Sequence, residues 1–90
     1  MARLDTALDI LDGCSAMTST AETYFDLGLR CAAGREGDVD LIEAHKWFNL
    51  AALRGHEEAR QYRAEISRDL TRTDIAKAQR LAREYLARLH

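Results

Sequence analysis

Residues 40–59 read DLIEAHKWFNLAALRGHEEA, and within twenty residues they join one helix, a sharp stop and the start of the next helix. From Asp40 the apolar positions Leu41, Ala44, Phe48, Ala51 and Ala52 recur at helical spacing and share one face. Ile42, Trp47, Leu50 and Leu53 load other faces. A helix that is apolar on more than one side has to be covered by neighbours on more than one side, so this one is expected at the centre of the fold. Gly55 stops it. The next helix is expected from about His56, with Ala59, Tyr62, Ile66 and Leu70 on its inner side, and to end near Asp69.

Upstream, Ser19 and Glu22 stand at capping-box spacing and open a helix with Tyr24, Leu27, Cys31 and Phe25 as its apolar set, closed by Gly34. The loop GREGDV follows, and Asp40 with Glu43 repeats the capping spacing for the central helix. Downstream, Thr71 with Asp74 caps a last helix whose stripe Ile75, Ala78, Ala82, Tyr85 and Leu89 predicts packing against a neighbouring helix of the same chain. Residues 2–12 place Leu4, Ala7, Leu8 and Leu11 at helical spacing before Gly13, and GCSAMTST reads as a linker. The expectation is an all-α chain of about five helices: residues 1–18 an N-terminal helix and linker, residues 19–90 the folded unit.

Ninety residues make one domain of modest stability. With 47% hydrophobic and 31% charged residues the composition is that of a soluble protein, and the absence of proline suits uninterrupted helices. The first residues, MARLDTALDILDG, alternate acids with apolar residues, unlike a signal peptide or a transmembrane helix, so the cytoplasm is the expected location and membrane insertion is not expected. Cys14 and Cys31 are then expected as reduced thiols. The net charge of −2 divides into −5 over residues 1–53 and +3 over residues 54–90. Two solvated faces account for this more simply than steering of an ionic partner or head-to-tail self-contact.

Leu27-Gly28, Cys31, Gly34, Asp40, Ala44, Trp47-Phe48, Ala51-Ala52, Gly55-His56 and Ala59 together resemble the Sel-one-like repeat, a family of stacked helix pairs related to tetratricopeptide repeats. One unit matches over residues 20–55. Cys31 stands where the pattern prefers tyrosine, Glu36 where it has a second glycine and Gly37 where valine is usual, so the loop departs from the pattern. The end, DLTRTDIAKAQRLAREYL, is similar to the closing segment of many bacterial repeat proteins of this kind. The resemblance implies a short antiparallel helical-repeat array with a C-terminal cap. Small residues at 44, 51, 52 and 59 would let helix backbones approach, with Trp47 and Phe48 filling the remaining gaps. One unit plus a cap is short for such an array, so the N-terminal helix, a second copy of the chain or a stable partner is expected to cover an end.

The sequence holds no recognisable catalytic constellation. Cys14, Cys31, His45, His56 and His90 support no triad, and no Cys-x-x-Cys or His-x-x-x-His pair points to zinc, so neither enzymatic activity nor a cofactor is expected. His56 is expected to make a structural hydrogen bond at a helix start, and His45 to be a partly buried imidazole. Nine basic residues from Arg54 to Arg88 invite a nucleic-acid or helix-turn-helix reading, but interspersed acids make a salt-bridged, solvated face the simpler one. The family resemblance implies a non-enzymatic adaptor or regulator that binds another protein. In such arrays the first helix of each pair lines the binding surface, which singles out Arg30, Arg60 and Arg63, with Tyr24 and Tyr62 as either contacts or core.

Overall fold

Each helix starts where a side chain can take up a backbone N–H that the helix itself leaves free. In a computed structural model that describes residues 20–35 and 37–89, four helices and no strand make up the described residues: α1 (Ala21–Ala33), α2 (Leu41–Leu53), α3 (Glu57–Ser67) and α4 (Arg72–Arg88). The helix expected over residues 2–12, its linker and Cys14 lie outside the described residues. None of the four helices is long and apolar enough to cross a membrane.

Two of the expected caps differ from their reading. The cap of α1 is Thr20, one residue after Ser19: its side chain accepts from the Thr23 N–H at 3.2 Å. Glu22 therefore sits one position too early for a capping box. Asp40 does cap α2, accepting from the Glu43 N–H at 3.0 Å, yet Glu43 turns to Lys46 instead of closing the box. The reason is local, because the Asp40 N–H is already bonded to the Cys31 carbonyl at 3.0 Å, which ties the loop back onto the last turn of α1. At α4 the full box forms, with Asp74 N–H donating to Thr71 Oγ1 at 3.0 Å and Thr71 N–H donating to Asp74 at 3.3 Å.

The stops match the glycines. Gly34 takes φ 70 after α1, a left-handed conformation that a side chain resists. At Gly55 (φ 90) the chain closes α2 with two bonds, Gly55 N–H to the Ala52 carbonyl and His56 N–H to the Ala51 carbonyl, the pairing of a Schellman motif. Helix α3 ends at Ser67, and residues 68–70 wind down through bonds to carbonyls three residues back.

Helix α2 is central: α1, α3 and α4 each find their closest packing against it. Ala44, Phe48 and Ala51 on α2 are fully buried, with Leu50 at 1% exposure, and Tyr24 and Gly28 of α1, Ala59 of α3, and Ala78 and Ala82 of α4 close in from three sides. Trp47 and Ala52 are only partly buried, as is Leu27 on α1. Leu53 and Leu89, read as packing positions, are instead 65% and 52% exposed, since each sits at a helix end beyond the reach of its neighbours. The approach of α1 to α2 is close, since a Cβ built on Gly28 would stand 2.5 Å from Phe48 Cε1.

Gly28→Ala should therefore destabilise the domain although alanine is the better helix former. Overpacking costs about 1–3 kcal/mol against roughly 1 kcal/mol gained in helix propensity. A lower denaturant midpoint, partly restored by Phe48→Leu in the double variant, is the expected outcome. An unchanged midpoint for Gly28→Ala alone would show that α1 has room to shift.

Candidate functional site

Between α1 and α3 a strip of rings reaches from the core to the surface. Phe25 stacks on His56 at 4.3 Å between centroids and meets the edge of Tyr62 at 5.4 Å. Both Phe25 and Tyr62 also rest on the buried Phe48, at 5.8 and 5.6 Å. Tyr62 is 40% exposed and Phe25 partly buried, so the strip is anchored at Phe48 and open at Tyr62. Aromatic pairs at these separations fix one another's orientation, which gives the exposed ring a defined position at small entropic cost.

His56 holds the strip in place. Its Nδ1 accepts from the Ala59 N–H at 3.1 Å, capping α3, and this leaves Nε2 to carry the proton. That Nε2 faces Glu22 of α1 at 3.5 Å. One imidazole thus starts α3, stacks on α1 and approaches an α1 carboxylate. The displaced cap of α1 explains the last contact, because Glu22 is free to reach across.

The arginines singled out from the sequence do not gather at the strip. Arg30 is exposed and pairs with Asp26 at 2.9 Å, and Arg60 is exposed and approaches Glu57 at 3.6 Å. Arg60 lies two residues from Tyr62, a spacing that puts them on different sides of α3. Arg63 turns back to α2, donating to Asn49 Oδ1 at 2.6 Å. Tyr24 is a correction: at 1% exposure it is core and not a contact residue. It stacks on Trp47 at 5.8 Å and meets Tyr85 at 5.9 Å, while Trp47 and Tyr85 stand 5.2 Å apart. Lys46, only 8% exposed, lays its Nζ 4.0 Å from the Trp47 ring centre and 3.1 Å from Glu43. A desolvated cation over an indole is worth about 2 kcal/mol, and the ring contacts around that indole join α1, α2 and α4.

Phe25 and His56 carry the strip, and neither was singled out as a surface residue. The signal in the sequence is faint: Phe25 falls off the i, i+3, i+7 stripe of Tyr24, Leu27 and Cys31, and His56 reads as a local hydrogen bond at a helix start. Among the described residues no three His, Cys, Asp or Glu side chains gather as they would around a metal ion. No protein-family model, curated protein or solved structure matches this chain.

His56→Ala should cost about 1 kcal/mol for the lost cap, and somewhat more for the lost stack on Phe25. His56→Asn should recover the cap portion only. Thermal melts of the two variants test this, and equal stability of His56→Ala and His56→Asn would remove the capping role.

Proposed function

We propose that this domain is a non-enzymatic adaptor or regulator that binds a partner protein through the surface shared by α1 and α3. The observation that carries the reading is the exposed Tyr62 ring, held on Phe25 and Phe48. Rigid aromatic side chains anchored at a core are the usual energetic centres of protein interfaces. The resemblance to Sel-one-like repeats supports the same surface, because the first helices of such pairs line the binding face. The exposed Glu58 and Glu65 of α3, four residues before and three after Tyr62 on the same face, then supply the charged surroundings of the ring.

The test compares baits. Wild-type protein, Tyr62→Ser and Arg60→Glu are used to recover partners from the native cell at moderate salt, with quantitative mass spectrometry. A protein held at fixed ratio by the wild type should be reduced about tenfold or more by Tyr62→Ser, with helicity unchanged, and less by Arg60→Glu. Partners retained equally by all three baits would overturn this surface. Recovery of the protein alone, as a defined dimer by light scattering, would assign the surface to self-association.

A second reading, nucleic-acid binding, draws on α4. Arg72, Lys77, Arg83 and Arg88 are exposed there and have no carboxylate partner among the described residues, while Arg80 approaches Glu84 at 3.8 Å. These cations share one broad side of the helix. A helix-turn-helix use of α3 is disfavoured, since α3 itself exposes Glu57, Glu58 and Glu65. If α4 tracks phosphates, affinity for mixed duplex DNA or RNA should fall steeply between 50 and 200 mM salt, roughly one log unit of slope per phosphate contacted. No mobility shift at low salt removes the reading.

A further inference from the structure

His45 lies on the central helix at 3% exposure, a titratable ring inside the α2–α3 contact. Its Nε2 is 3.2 Å from Ser67 Oγ on the last turn of α3. The serine hydroxyl donates to the Arg63 carbonyl at 2.7 Å, so its proton is committed and it can only accept from the imidazole. This makes His45 the Nε2–H tautomer. Nδ1 is then a buried acceptor, and it has no hydrogen-bond partner among the described residues. A polar atom in that condition is costly already, and the one contact that favours the charged ring, to the backbone of His45 itself, counts for less than the burial and the Arg63 charge that oppose it.

The charges around the ring do not favour its protonation either. From α3, Arg63 acts on it as a like charge, and its guanidinium is held on the α2 side by Asn49. On α2 itself the neighbouring Lys46 and nearby Glu43 are engaged with each other. Glu65 of α3 is exposed, and from α4 Asp74 is taken up in the Thr71 cap and Glu84 by Arg80. Among the described residues no carboxylate lies within ion-pair distance of His45.

We propose that His45 is an acid-sensitive latch between α2 and α3: neutral, it ties the end of α3 to α2 through Ser67, and protonated, it makes that closed contact the unfavourable state. Relief comes from lifting the end of α3, which lets water reach Nδ1 and moves Arg63 away. The same movement disturbs the seat of Tyr62, so acid should release whatever the α1–α3 surface holds. Only this last consequence rests on the proposed binding function.

The direction of the effect follows from linkage. Burial first, and then the charge of Arg63, hold the imidazole below its ordinary 6.5, so the open or unfolded chain takes up the proton before the closed one. The stability contributed by neutral His45 is fully present above that ordinary value. It is lost as pH falls below it toward the value in the closed state.

The test is amide hydrogen exchange on the isolated chain at pH 7.5, 6.5 and 5.5, each rate referred to the intrinsic rate at that pH. Protection of α3 amides should fall by up to about tenfold between pH 7.5 and 5.5, the limit set by protonation of a free imidazole. His45→Gln, which can still donate to Ser67 but cannot titrate, should show a clearly smaller fall than the wild type in the last turn of α3, away from the His56 cap on Ala59. An equal fall in the variant, or a level profile in the wild type, overturns the latch. If His45→Gln does not fold, nitrogen NMR of the wild-type imidazole decides instead: a neutral Nε2–H ring at pH 6 supports the proposal, and a ring already charged at pH 7 ends it. Exchange needs no partner, so a failed latch and a failed binding surface give different results.

Discussion

Phe48 resting on the bare backbone of Gly28 is the contact on which the rest of the domain depends. A side chain on residue 28 would occupy the space of the ring, so α1 can lie this close to α2 only because position 28 is glycine. The close approach brings Tyr24 into the core and sets Phe25 on the outer side of the same ring. Alanines do comparable work on the other sides of α2. Ala59 admits α3, and Ala78 and Ala82 admit α4. With so few large apolar side chains, a chain of this size reaches a dry centre by bringing helices close together instead of filling a wide gap between them.

Much of this arrangement was legible in the chain. The apolar loading of residues 41–53 on several faces announced a helix with several neighbours, and Gly34, Gly55, Asp40 and Thr71 marked their ends by chemistry that acts within four residues. Errors came where a local rule competed with a contact from farther along. Ser19-x-x-Glu22 and Thr20-x-x-Thr23 offer overlapping starts, and Thr20 provides the cap in a structure where Glu22 faces His56 across to α3. Leu53 and Leu89 fit the apolar period but not the length over which a neighbouring helix can cover them.

The candidate surface was harder to read than the fold. Tyr24 and Tyr62 occupy equivalent places in their helices' apolar sets, and nothing in spacing separates a ring enclosed by Trp47 and Tyr85 from one leaning on Phe25 with an open edge. Arginines were similarly ambiguous, because the same residue type pairs with a helix neighbour at Arg30, with an α2 amide at Arg63, and with no carboxylate among the described residues at Arg72 or Arg83. His45 reads from the sequence as a partly buried imidazole beside an apolar face, and it is in fact 3% exposed. Its link to Ser67, twenty-two residues away, is a property of the folded chain alone.

The single tryptophan belongs to one side of this molecule. Trp47 is surrounded by Tyr24, Tyr85 and the Lys46 ammonium, all from α1, α2 and α4, whereas the rings of the α3 strip cluster around Phe48. Its emission therefore watches the junction of three helices and is nearly blind to the fourth. Intrinsic fluorescence and backbone circular dichroism should report the same transition only while α3 leaves together with the rest. A separation between the two signals would be the optical mark of a domain that comes apart in two stages.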